Sequence, residues 1–393
     1  MFASRTKWPL ETNRLTQALE ECRQSGREIL DLSESNPTAR GFHYPEREIL
    51  AALADPRGLI YRPESKGLLE SRHAVAEYYA GRAGFSGASA RVDPERILLA
   101  SGTSEAYSHI FRLLCEPGDE ILVPAPSYPL FEFLADLADI HLVPYPLLYD
   151  HGWQIDFASL RAAISPRSRA VLVVHPNNPT GSFVKPHEAA ELAEICAARE
   201  MAIVADEVFL DYTAGGSAAK TFALSDAALT FTLSGISKIS LLPQMKLAWT
   251  VVSGPASLAR TAIDRLEIIA DTYLSPSTPA QLALPRFLSF RHSMQEQVQR
   301  RISANLAILD GALLESKLLA RLEREGGWYA ILRVPVTGSD DDLAVGLLDR
   351  FSVLVHPGHF FNFSREGFLV LSLITPEDKF KEGVLRLLKF IDP

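Results

Sequence analysis

Six short apolar runs constrain the fold of this chain more than any other feature. They occupy residues 97–100, 120–123, 170–175, 202–205, 230–233 and 248–253. Each is short for a helix and nearly continuous in apolar residues, the pattern of a strand buried on both faces. Segments of helical period, such as 104–114 and 186–199, lie between many of them. Strands and helices in alternation form a mostly parallel sheet with helices on both faces, because a parallel crossover needs a helix-length connection. The expected fold class is α/β.

After Pro255 the pattern changes to a helical region that runs to about residue 314. Strand candidates follow at 328–334 and 367–373, and a helix at 376–390 closes the chain. Near the other end, residues 11–30 read as a helix broken by the polar stretch from Asp31 to Thr38, and residues 67–83 read as another. The two ends read together as a second lobe. The expected division is an N-terminal arm at 1–42, a large domain at 43–290 and a smaller domain at 291–393. A chain of 393 residues is long enough to bury two cores.

The 39 lysines and arginines are outnumbered by 48 aspartates and glutamates, a net charge of −9. That balance gives no electrostatic case for a nucleic-acid partner. Cys22, Cys115 and Cys196 are few, odd in number and widely spaced, so neither a disulfide framework nor a metal site is expected. No apolar stretch approaches the roughly 18–20 residues that span a bilayer, and no apolar run follows Arg5 and Lys7 as a signal peptide requires. A cytoplasmic protein is expected, with no membrane partner.

Ligands of open α/β sheets sit outside the carboxyl ends of the strands. Four polar motifs follow the apolar runs there. Ser101-Gly102-Thr103-Ser104-Glu105-Ala106 leads into a helix, where free N–H groups and the helix dipole suit an anion such as phosphate. His175-Pro176-Asn177-Asn178-Pro179-Thr180-Gly181 leaves Asn177 or Asn178 to present an amide over the sheet edge. Asp206-Glu207 places a carboxylate at a strand end, costly unless paired with a cation or donor. Ser234-Gly235-Ile236-Ser237-Lys238 places a lysine there, and a lysine desolvated in a cleft has the lowered pKa that Schiff-base chemistry needs. Taken singly, a helix cap, a turn, a cap and a surface lysine would explain these motifs. Together, and in that order, those explanations become improbable.

Phosphate corner, amide, carboxylate and lysine, from about Asp31 to Leu373, resemble the fold-type I, class I/II aminotransferase family of pyridoxal-phosphate enzymes. The resemblance implies a large cofactor-binding domain with a mostly parallel seven-stranded sheet flanked by helices, plus a smaller α/β domain. It implies pyridoxal 5′-phosphate as cofactor. Lys238 is then the lysine that bonds the cofactor and moves the substrate proton, and Asp206 is the partner of the pyridine nitrogen. Asn178 matches the amide on the ring hydroxyl, and Thr103 and Ser104 match the phosphate corner. Tyr128, in Pro126-Ser127-Tyr128-Pro129, matches the aromatic stacked on the ring. Tyr61 matches a tyrosine that reaches the phosphate of the neighbouring subunit, which implies a homodimer. Ser35 and Asn36 lie where the family's N-terminal segment covers the substrate.

Four positions depart from the family pattern. Phe209 stands where a tyrosine is usual, three residues after the aspartate. Gly235 replaces a phosphate-binding serine, with Ser234 or Ser237 as candidate substitutes. Lys246 replaces an arginine eight residues after Lys238; it keeps the charge but not the planar fork. Val370, in Gly367-Phe368-Leu369-Val370-Leu371-Ser372, occupies the position of the arginine that clamps the substrate carboxylate. Arg365 and Arg333 are candidates to replace it. The resemblance implies transfer of an amino group between an amino acid and a 2-oxo acid. Phe209 and Val370 keep open a lyase, cyclase or other elimination or replacement enzyme on the same cofactor.

Overall fold

A computed structural model describes residues 1–85, 91–215 and 219–392. Its first strand, β1 (Leu30–Asp31), lies near the N-terminus, and eight more form the large sheet. These are β2 (Ile97–Ala100), β3 (Glu120–Ala125), β4 (His141–Tyr149), β5 (Trp153–Ile155), β6 (Ser168–Val174), β7 (Ala202–Asp206), β8 (Thr230–Gly235) and β9 (Ala248–Ser253). Their order across the sheet is β2-β9-β8-β7-β6-β3-β4-β5. The run from β8 through β7, β6 and β3 to β4 is parallel throughout. β9 is antiparallel to both β2 and β8, and β5 folds back on β4 as a hairpin. All six apolar runs are strands of this sheet.

β4 and β5 account for the strands that the apolar runs missed. Pro144 and Pro146 interrupt β4, and its residues alternate between exposed and half-buried. Proline is tolerated there because residues 141–146 of β4 pair only with β3, on one side; β5 pairs just Leu147–Tyr149. The sheet therefore has eight strands, the eighth being the three-residue β5.

The expected helix at 11–30 is shorter, Arg14–Gln24, and ends beside Gly26 with φ +72°. β1 follows it and pairs in parallel with β12 (Val353–Leu354), once β10 (Ala320–Arg321) and β11 (Tyr329–Arg333) have been laid down. β13 (His356–Pro357) and β14 (Phe368–Ser372) complete a small antiparallel sheet in the order β10-β11-β14-β13. Both chain ends feed one core here. Leu15, Ala18 and Cys22 from the first helix pack in the same cluster as Leu347, Leu348, Phe380 and Val384. Among the described residues no helix is long and apolar enough to cross a membrane.

Candidate active site

Three neighbouring strands of the large sheet deliver the central residues. β6, β7 and β8 lie side by side and parallel, so their carboxyl ends are adjacent. After β6 comes the turn Asn177–Gly181, Asp206 is the last residue of β7, and Lys238 sits in the helical turn Ile236–Ile239 directly after β8.

Asp206 is buried, accepting from the Tyr107 hydroxyl at 2.9 Å and from the Val208 N–H at 3.1 Å. Burial raises its pKa, opposed by those two hydrogen bonds and by the charge of Lys238. Lys238 Nζ lies 4.8 Å from the centre of the Trp328 ring and 5.5 Å from that of Phe209. Burial lowers its pKa to about 8, against the opposing charges of Asp206 and Glu34. The residue retains some accessible surface, yet its ammonium end faces aromatic rings, which replace only part of the lost hydration. Its carbonyl accepts from the Tyr212 hydroxyl at 2.6 Å, fixing the backbone of the turn. This is a desolvated amine next to a desolvated carboxylate. Each stabilises the charged form of the other.

The two asparagines after β6 are distinguished by their partners. Asn177 turns its oxygen to the Thr180 hydroxyl at 3.0 Å, while its buried Nδ2 has no partner among the described residues. Asn178 is buried and its side-chain oxygen has no partner among the described residues. Glu207 faces away from the site. Its carboxylate accepts from Thr221 Oγ1 and the Phe222 N–H, and burial lifts its pKa to about 8.

Thr103 and Ser104 form the first turn of the helix Thr103–Leu114, whose N-cap, Gly102, offers no side-chain acceptor. The first N–H groups of this helix are thus free of a side-chain cap, as an anion site requires. Tyr128 lies in the loop after β3, with its ring 5.7 Å from Phe131, which contacts Tyr107 at 5.3 Å. Its hydroxyl pKa is raised by burial and by the charge of Asp206, which places it on the same cleft. Lys246 is exposed and has a left-handed backbone, φ 51°, at the end of the turn Pro243–Met245. Tyr61 is 78% exposed, and its neighbours Leu59 and Ile60 are 91% and 62% exposed.

Two departures now have a physical reason. A Cβ on Gly235 would come within 2.9 Å of the Ala248 Cβ and 3.0 Å of the Leu247 carbonyl oxygen, because Gly235 and Ala248 are paired across β8 and β9. A serine there would collide with the adjoining strand. Ser234 does not substitute for it, since its hydroxyl turns back to the Glu207 carbonyl at 3.3 Å. Phe209 is buried with its ring 5.2 Å from Trp328. A phenolic donor is exchanged for an aromatic contact that walls the lysine.

Around the substrate side, Ser35 lies near the Tyr329 hydroxyl and opposes the rise in its pKa that burial causes. Asn36 is exposed, and its side-chain oxygen caps the turn Pro37–Ala39 through the Thr38 N–H and hydroxyl. Val370 is fully buried in register between Ile331 of β11 and His356 of β13. Arg333 and Arg365 are both exposed, against the rings of Tyr149 and Phe368. No contact of either brings it to Lys238. Sequence reasoning missed Tyr107 and Trp328, whose roles come from long-range packing. Glu34 lay inside the segment already singled out and was passed over.

The protein-family profile described as aminotransferase class I and II matches residues 27–387. Alanine aminotransferase of Mycobacterium tuberculosis (strain H37Rv) is 29% identical over 387 aligned residues, spanning 93% of this chain and 86% of the relative. Glutamate-pyruvate aminotransferase of Escherichia coli K12 is 31% identical over 277 residues, 70% of this chain and 66% of the relative. Among solved structures, alanine aminotransferase from Pyrococcus furiosus superposes with a TM-score of 0.90 at 24% identity, covering 100% of this chain and 99% of that one.

Proposed function

The chain belongs to the class I and II aminotransferase family, and from that premise we propose that Lys238, Asp206 and Asn178 hold pyridoxal 5′-phosphate for transamination of alanine or a similarly small amino acid. It is an aminotransferase, moving an amino group between an amino acid and a 2-oxo acid. The donor class is argued from the relatives, named as alanine and glutamate-pyruvate aminotransferases.

The side chains present fit the cofactor. Asp206 is a buried carboxylate whose charge needs a cationic partner, as a protonated pyridine nitrogen would be. The unpartnered oxygen of Asn178 suits the ring hydroxyl. The uncapped helix start at Thr103 and Ser104, with Lys246, suits a phosphate. When bound, the cofactor supplies a carbonyl carbon for the amino nitrogen and a ring that accepts the electrons of the broken Cα–H bond.

The chain's residues do the rest. Lys238 provides an amine at Nζ that takes the Cα proton and returns it, and its pKa of about 8 suits both directions near neutral pH. Asp206 keeps a positive charge opposite it, with the Tyr107 hydroxyl fixing the carboxylate plane. Tyr128 covers the cleft beside Asp206, and Trp328 and Phe209 exclude water from the lysine. The observation that carries this reading is the desolvated lysine beside the desolvated aspartate at adjacent strand ends. With pyruvate as acceptor, a panel of amino donors should give alanine, and each active donor should appear as its 2-oxo acid by chromatography. Turnover of a donor with no acceptor added would instead indicate elimination or replacement.

The same reading makes the active unit a homodimer, with Tyr61 serving the neighbouring site. Support comes from the exposed apolar stretch Leu59–Tyr61, of a kind that marks an interface. The protein should sediment at twice 43.3 kDa. Mixed dimers of Lys238→Ala and Tyr61→Ala subunits should contain sites with both native residues and regain activity that neither parent shows. A monomer that is active at all concentrations would remove the assignment.

A further inference from the structure

Val370 leaves its row of the small sheet without a fixed positive charge. Its cross-strand neighbours do not supply one: Ile331 is apolar, and burial lowers the pKa of His356. A buried guanidinium lies on the N-terminal segment whose backbone hydrogen-bonds the end of β14. Arg40 follows the turn Pro37–Ala39, and only 12% of its side chain is exposed. It faces Asp31 Oδ2 at 3.7 Å and Glu34 Oε2 at 3.9 Å, both longer than a hydrogen bond. Each carboxylate has committed its other oxygen locally. Asp31 Oδ1 accepts from the Ser33 N–H and hydroxyl and the Glu34 N–H, while Glu34 Oε1 accepts from the Asn36 N–H. The Arg40 Nε is buried with no partner among the described residues. The guanidinium is held by charge, and its donors are not used up.

The segment that carries Arg40 is laced to the end of β14. The Leu32 carbonyl accepts from the Ser372 N–H at 2.7 Å, and the Asp31 carbonyl accepts from the Thr375 hydroxyl at 3.4 Å. Arg301 Nη1 bridges the carbonyls of Arg40 and Ile374 at 3.3 Å each. On its other side the same segment meets the cleft, since Ser35 and Glu34 lie near enough to influence the Tyr329 hydroxyl and Lys238. Beside Tyr329 on β11, in register, is Ser372, whose buried hydroxyl has no partner.

We propose that Arg40 is the specificity-determining cation of this aminotransferase, receiving the α-carboxylate of the amino acid and of the 2-oxo acid in place of an arginine at position 370. The inference rests on the transaminase reading above, with its own part confined to how the carboxylate is bound. Asp31 and Glu34 then orient the fork.

The test uses the holoenzyme and the variants Arg40→Gln, Arg40→Lys and Arg40→Gln/Val370→Arg. Propanoate, an unreactive monocarboxylate, serves as the binding probe in calorimetry. Arg40→Gln should weaken propanoate about tenfold to a hundredfold, the loss of a charge-assisted pair, and lower kcat/KM for alanine and pyruvate alike. Arg40→Lys should fall between, and the Val370→Arg double variant should recover propanoate binding. Transfer from 2-aminopropane, which has no carboxylate, should be unaffected in all three. Equal losses with alanine and 2-aminopropane would show that Arg40 only fastens the loop, and would overturn the proposal, as would unchanged propanoate binding. Wild-type protein that binds propanoate through Arg40 yet transaminates nothing would instead fail the functional reading and leave this one standing.

Discussion

Lys238→Ala is expected to abolish transamination, lowering kcat by at least about 10⁴-fold. General acid–base catalysis by a positioned side chain contributes about 10²–10⁴-fold, and in the proposed reading this lysine would also be the covalent anchor of the cofactor. The cause lies in where the amine is held. Between the rings of Trp328 and Phe209 its pKa falls to about 8, burial outweighing the pull of Asp206 and Glu34. At pH 8 about half of such amines are unprotonated, whereas a solvated lysine near 10.4 is almost wholly ammonium. The visible absorption of the lysine-bound cofactor should vanish in the variant. Circular dichroism should stay native, since the alanine leaves Ile236 and Ile239 of the same turn in the core. A surviving visible band would transfer the role to another amine.

Asp206→Asn should have the next largest effect, a fall in kcat of roughly 10²–10⁴-fold. Removing one partner of a buried ion pair costs about 3–5 kcal/mol, and each 1.36 kcal/mol is a tenfold change in rate. Asparagine preserves size and the contact with Tyr107 but removes the charge. Burial alone pushes Asp206 toward its neutral acid, so its anionic form depends on the hydrogen bonds and the cation around it. The cofactor should also dissociate more readily, measured by its loss on dialysis. Tyr107→Phe, which removes one hydrogen bond at 2.9 Å, should cost only about tenfold. Equal activity in Asp206→Asn and wild type would show that no charge is needed at this strand end.

The large sheet was legible because its strands are buried on both faces, and burial leaves an apolar run that has few other readings. β4 was hidden by the opposite circumstance. It is half exposed and carries Pro144 and Pro146, both marks of a loop when seen in isolation. Lys238, Asp206 and Asn178 were singled out because a strand end is a fixed address, within a few residues of a recognisable run. Trp328 and Tyr107 had no such address. Trp328 reaches Lys238 from the second core, and Tyr107 reaches Asp206 from a helix face where a core aromatic is the ordinary expectation. The arginine candidates were sought near Val370 in sequence, but a buried guanidinium on the segment that hydrogen-bonds the end of β14 arrives from residue 40.

The pairing of β1 with β12 and the shared core of the two chain ends set an order of events during synthesis. Arg14–Gln24 is made before the large sheet, yet its core partners Leu347 and Leu348 and the helix Glu377–Ile391 are made after it. The large sheet needs nothing beyond Ser253 to complete its pairing. The first helix can therefore bury its apolar face only after residues 347–384 have been made, later than every strand of the large sheet.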